Sequence, residues 1–251
     1  MNKSYTAPAY FTTCARRRLA YRLRVGGGPT LLFLPGYASD MDGAKALALD
    51  AFAADRGLAM LRFDYSGTGA SGGRFEDGTL SGWLDEARAM AEALTAGPLI
   101  LIGSSMGAWI ALHLALAIPE RVQALVGIAA APDFTDWGFT TAQQAQLREA
   151  GKLLRTSEAG AEPQLTTRGF WESGQSLRLL GGPIAIDCPV RLVHGEGDSD
   201  VPPGIAQRLM AQLRSADVQL TLIKGGGHRL SEPHEIEAIL RTVAALVEPV
   251  H

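Results

Sequence analysis

Short apolar runs bounded by Gly or Pro recur along the chain, at 31–34, 59–63, 99–102, 122–128, 190–193 and 218–223. Their length and their flanking breakers predict buried strands. Between most of them lie segments of helix length with apolar residues at 3.6-type spacing, at 41–55, 79–95, 106–118 and 204–213. Strand alternating with helix predicts an α/β fold, a mostly parallel central sheet with helices on both faces. Residues 19–25 alternate instead, then enter Gly26-Gly27-Gly28-Pro29, which predicts an antiparallel edge strand turning into the sheet. A last helix is expected to open with Ser231 as N-cap and Pro233 in its first turn, with Ile236, Ile239, Leu240 and Val243 along one face.

Two stretches depart from this rhythm. Residues 98–118 carry only Ser104, Ser105 and His113 as polar side chains, long enough to suggest a membrane span. Pro98, Gly103, the paired serines and Gly107 break the run, so a buried strand, a tight turn and a buried helix are expected. Residues 131–187 are too long for one crossover and are read as an inserted lid of short helices, with Trp137, Phe139, Phe170 and Trp171 among many polar positions.

The length of 251 residues suits one α/β domain with that insertion, large enough to bury a full core without metal or disulfide staples. Lys and Arg number 23 against 26 Asp and Glu, a net charge of −3, which excludes the electrostatic footprint of a nucleic-acid binder. Arg16-Arg17-Arg18 is the one basic run and reads as a solvated strand edge. Cys14 and Cys188 lie far apart with no metal-ligand spacing, so two free thiols in a reducing compartment are expected, and no metal or organic cofactor. The N-terminal residues lack the apolar stretch and small-residue cleavage site of a secretory signal.

Gly103-Ser104-Ser105-Met106-Gly107 is G-x-S-x-G placed after a strand pattern and before a helix pattern. A nucleophile on such a turn needs strained backbone angles, and flanking glycines leave room for close approach. A serine hydroxyl is a weak nucleophile at neutral pH and needs a base, which in turn needs an orienting acid. Of five histidines, His228 is the candidate base, because Lys224-Gly225-Gly226-Gly227-His228 follows a strand at the end where α/β sheets place their sites. His113 reads as a structural histidine on an apolar helix, while His234 and His251 read as solvated. Glu196, Asp198 and Asp200, in the loop that begins with His194-Gly195, could each orient His228, and spacing does not choose among them. Oxyanion donors are expected from the Met106 amide and from the Tyr37 amide in Leu34-Pro35-Gly36-Tyr37. The glycine-rich 64–73 stretch lacks the Lys-Ser/Thr of a phosphate loop and reads as a turn capped by Asp64.

The motifs Leu34-Pro35-Gly36, Asp64-x-x-Gly67-x-Gly69-x-Ser71, Gly103-Ser104-Ser105-Met106-Gly107, His194-Gly195-x-x-Asp198-x-x-Val201-Pro202 and Gly227-His228 together resemble the α/β-hydrolase superfamily. The resemblance implies that fold, with Ser105 as nucleophile, His228 as base and Asp198 as the acid. Phe33-Leu34-Pro35-Gly36-Tyr37-Ala38-Ser39-Asp40-Met41, Leu61-Arg62-Phe63-Asp64-Tyr65-Ser66-Gly67 and Cys188-Pro189-Val190-Arg191-Leu192 are similar, more narrowly, to the mitochondrial branch with palmitoyl-protein thioesterase and acyl-glucuronide esterase activity. That similarity runs from about Ala20 to Val247, is weakest in the lid, and implies hydrolysis of acyl thioesters and activated esters. The substrate partner is then a small ester or thioester, or an S-acylated protein. Because the matching region begins close to residue 1, a bacterial cytoplasmic relative is expected. Trp137, Phe139, Phe170 and Trp171 have two readings, an acyl tunnel, each buried methylene adding about 0.8 kcal/mol, or core packing of the lid. The competing readings are a small-molecule carboxylesterase, an acyltransferase and a non-catalytic binding module on the same fold.

Overall fold

A computed structural model describes residues 7–155 and 163–247. Strands β1 (Ala9–Thr12), β2 (Arg18–Arg24), β3 (Gly27–Leu34), β4 (Leu58–Phe63), β5 (Leu99–Ser104), β6 (Val122–Ile128), β9 (Val190–Gly195) and β10 (Val218–Ile223) form an eight-stranded sheet in the order β1-β2-β4-β3-β5-β6-β9-β10. From β4 to β10 all neighbours are parallel, while β2 runs antiparallel to both β1 and β4. The 19–25 segment is therefore antiparallel as expected, but it is not the edge: the four-residue β1 covers it.

Each central strand divides its side chains between two buried faces. Leu32 and Leu34 face a core with Trp83 and Met90 of α2 (Leu80–Leu94), with α3 (Met106–Ala117), and with Leu209 of α7 (Pro203–Gln212). Leu31 and Phe33 face the other core, against Leu49 and Phe52 of α1 (Ala44–Asp55) and Ile239 and Val243 of α8 (Pro233–Val247). That is why the strand segments read as unbroken apolar runs. The transmembrane-length stretch resolves into β5 and α3, and nine of the twelve α3 residues are buried between the sheet and α2. No helix among the described residues is long and apolar enough to cross a membrane. Helix α8 starts at Pro233, and Glu232 rather than Ser231 sits at its cap, accepting the Ile236 N–H through its carbonyl while its own N–H is taken by Glu235.

Between β6 and β9 lie α4 (Phe134–Trp137), α5 (Thr141–Ala150), β7 (Lys152–Arg155), β8 (Gln164–Thr167) and α6 (Arg168–Ser176). The expected all-helical insert is corrected: β7 and β8 pair as an antiparallel two-stranded sheet. Each strand is only four residues long and exposed on one side, too short to leave an alternating signature. The segment that returns from the insert is pinned by α3, since Trp109 Nε1 and His113 Nε2 both donate to the Leu177 carbonyl. The buried Asp133 carboxylate accepts the Leu179 and Leu180 N–H groups at 2.8 and 2.7 Å.

Candidate active site

Ser105 sits between β5 and α3 with φ +54° and ψ −117°, a conformation that L-residues avoid. Its neighbours make the turn feasible. A Cβ on Gly103 would come within 2.4 Å of the Ala108 backbone, and one on Gly107 within 2.0 Å of the Leu34 carbonyl oxygen. The Ser105 N–H donates to Ile128 O, and its carbonyl accepts from Ala108 and Ala131 N–H groups, so the strained residue is held from both sides.

His228 lies in the loop after β10, which approaches the β9 loop so closely that a Cβ on Gly195 would sit 2.2 Å from Gly226 O. Its Nε2 is 3.0 Å from Ser105 Oγ and its Nδ1 is 2.8 Å from Asp198 Oδ2. A carboxylate only accepts, so Nδ1 carries the hydrogen and the Nε2 lone pair faces the serine hydroxyl. Of the three candidate acids, the structure brings Asp198 to His228. Glu196 instead accepts the Gly225 N–H, steadying the histidine loop, and Asp200 contributes its backbone N–H to Asp198.

The Asp198 side chain is fully buried. Burial alone would raise its pKa, but hydrogen bonds from His194, His228 and the Val201 N–H outweigh it and hold the carboxyl well below the usual carboxylate range. Oδ1 accepts the Asp200 and Val201 N–H groups at 3.0 and 2.8 Å, and Oδ2 is shared between His228 and His194 Nε2, the latter at 3.3 Å. His194 Nε2 also faces Val201 O at 2.9 Å, so two acceptors assign it the hydrogen, while its buried Nδ1 has no partner among the described residues. This second histidine was not foreseen. In the sequence it reads only as part of a turn motif, and nothing there reports a contact made from the strand below.

Met106 is the first residue of α3, where backbone N–H groups have no intrahelical partner. The other expected donor, Tyr37, follows Gly36, whose ideal Cβ position is 3.4 Å from Ser105 Cβ. The Tyr37 phenol donates to Leu165 O of β8 at 2.6 Å and packs against Phe170 and Phe75, tying the turn to the insert. Burial pushes this phenol's pKa far up, outweighing the Thr166 hydrogen bond and the Arg155 charge.

A cavity of about 1090 Å³ opens over Ser105 and His228. Trp137 lines it, but the other three expected tunnel residues do not. Phe139 and Trp171 pack with Leu147 and Leu153 inside the insert, and Phe170 joins the main core beside Trp83 and Tyr37. Their large apolar faces are consumed in holding the insert to the sheet. The cavity wall includes Phe134 and Leu154 and, unforeseen, Lys45 and Arg155. Lys45 donates to Arg229 O next to His228, and Arg155 donates to Gly138 O at 2.6 Å. Burial lowers both pKa values below their ordinary range. His113 is the tethered structural histidine expected, its pKa lowered by burial. His234 is exposed, and His251 lies outside the described residues.

Residues 31–239 match the family described as the alpha/beta hydrolase family. The human protein named palmitoyl-protein thioesterase ABHD10, mitochondrial, is 36% identical over 236 residues, covering 92% of this chain and 76% of that protein. Among solved structures, alpha/beta hydrolase domain-containing protein 10 from mouse superposes with a TM-score of 0.90 at 33% identity, covering 96% of this chain and 98% of that one. A putative hydrolase from Agrobacterium vitis S4 superposes at 0.89 with 40% identity, covering 97% and 98%.

Proposed function

Because the chain belongs to the alpha/beta hydrolase family, we propose that it is a serine hydrolase cleaving acyl thioesters or esters through an acyl-Ser105 intermediate. The observation that carries this reading is the continuous relay to Asp198 from Ser105 Oγ and His228, both of which line the cavity. His228 Nε2 takes the Ser105 hydroxyl proton as Oγ bonds to the acyl carbon, and Asp198 stabilises the resulting imidazolium. The carbonyl electrons move to oxygen, where the Met106 and Tyr37 amides receive the charge. Collapse breaks the bond to the leaving thiol or alcohol, which takes the proton from His228. A water then repeats the cycle on the acyl carbon and frees Ser105. The named thioesterase relatives support an S-acyl or activated acyl substrate. The unpaired Cys14 and Cys188 support a reducing compartment, here proposed as a bacterial cytoplasm, whereas the curated relatives are mitochondrial by name.

A second reading, a small-molecule carboxylesterase, draws support from the cavity wall, where Lys45, Arg155, Gln143 and Asp200 stand among the apolar residues. Such a wall suits a polar leaving group as well as an acyl chain. Matched thioester and oxyester substrates from acetyl to palmitoyl test both. Turnover dependent on Ser105 is expected, with kcat falling on the order of 10⁶ in Ser105→Ala, and activity retained in that variant would sink the scheme. Preference for long thioesters selects the first reading, and preference for short oxyesters the second.

A further inference from the structure

Two stretches that the chemistry of Ser105 leaves unused, the basic run 16–18 and the glycine-rich turn 64–73, meet in space. They are built into one another: Gly72 N–H donates to Arg18 O, Ala20 N–H donates to Ser71 Oγ, both at 2.8 Å, and Gly67 N–H closes the turn onto Gly72 O at 2.9 Å. Between them lies a cleft of about 330 Å³, roughly eleven water volumes, that shares no lining residue with the catalytic cavity. Arg16, Arg17, Arg18 and Arg74 line it, and Asp77 is the one carboxylate residue on its wall.

We propose that this cleft is a binding site for a phosphate-bearing ligand. The floor is rigid and already neutral, because the buried Glu86 carboxylate takes Arg17 Nη1 at 2.7 Å along with the Ser66 N–H and hydroxyl. The other three guanidiniums keep most of their charge. Arg18 Cζ sits over the Tyr10 ring, 3.3 Å from its centre, which orients the guanidinium without neutralising it. Among the described residues Arg74 reaches the carboxylate of Glu76 alone, at 3.6 Å between two exposed side chains, a pairing that water screens. Arg16 projects from a positive-φ turn and has no carboxylate partner among the described residues. Gathering such charges on a protein whose net charge is −3 costs repulsion that an anion relieves. The planar fork of arginine matches phosphate oxygens, and Gly72 and Gly73 present a wall without side chains that a phosphate can approach closely. The cleft holds one phosphate and the first atoms bonded to it, and phosphate esters of small molecules and of lipid headgroups share that chemistry.

Calorimetric titration of the full chain with inorganic pyrophosphate, alongside co-sedimentation with phosphatidate-containing and pure phosphatidylcholine vesicles, tests the proposal. Saturable binding of pyrophosphate or selective binding of phosphatidate vesicles is expected, weakening as salt rises. The first outcome assigns a soluble phosphate ester and the second a lipid headgroup. Arg16→Gln combined with Arg74→Gln, both exposed, should weaken binding about tenfold or more with the thermal midpoint unchanged, and Asp77→Asn should tighten it. Ser105→Ala should bind as the wild type does, which separates this site from the hydrolase reading. Absence of saturable binding to either probe, or undiminished binding by the double variant, overturns the proposal.

Discussion

The loops after β5, β9 and β10 and the insert between β6 and β9 both border the cavity over Ser105, yet they keep their shape by different means. The loops are fixed by backbone: a strained serine between two glycines that have no room for a side chain, and a carboxylate with four hydrogen-bond donors. The insert is fixed by aromatic faces and a few side-chain hydrogen bonds, such as Trp171 Nε1 to Thr135 O. Polar geometry of the first kind defines positions to a fraction of an ångström, whereas apolar packing of the second kind tolerates exchange of one large side chain for another. The proposed reacting groups and the insert's share of the cavity wall are thus held by separate parts of the chain.

Substitutions can break this contrast, beginning with the loops. Asp198→Asn should lower kcat by about 10⁴, because the amide favours the wrong tautomer of His228. Steady-state kinetics at neutral pH would check this, and a loss of only a few-fold would mean that another group orients the base. The same carboxyl bears on stability. Its folded pKa is depressed, so its contribution is present above the unfolded value of about 3.9 and is lost as pH falls through the folded value. The urea midpoint of the wild type should therefore fall more steeply below about pH 4 than that of Asp198→Asn.

A smaller effect is expected from His194→Leu, which removes one donor from Asp198 Oδ2 without touching the serine or the base. A drop of about tenfold in kcat with KM held, restored by His194→Gln, would mark His194 as a positioning residue. Equal losses in both variants would reduce it to packing. Smallest should be Tyr37→Phe, which cuts the tie between the turn and β8 and should cost about 1 kcal/mol of stability. A kcat loss as large as that of Asp198→Asn would show that the two parts are not separable.

The same contrast sets what the sequence discloses. The Ser105 turn was legible because a glycine at each flank and an apolar run on either side are local signals of a local geometry. The acid was legible only through the family resemblance, since Glu196, Asp198 and Asp200 share one loop and spacing alone does not choose the one that the fold brings to His228. Trp137, Phe139, Phe170 and Trp171 look alike as aromatics in a polar segment, and their division between cavity and core depends on contacts with Tyr37, Trp83 and Leu147 from elsewhere in the chain. β1 and the antiparallel pair β7 and β8 escaped because four residues carry too little period to read.

The hydrogen bond between Ser105 and His228 spans 123 positions of sequence. During synthesis the serine turn leaves the ribosome long before its proposed base, and a domain folds as a unit once its chain has emerged. On the proposed mechanism a growing polypeptide therefore carries a chemically silent serine until β10 and its loop have joined the sheet. Labelling of Ser105 by a hydroxyl-directed probe thus dates the moment at which the last parallel strand is in place.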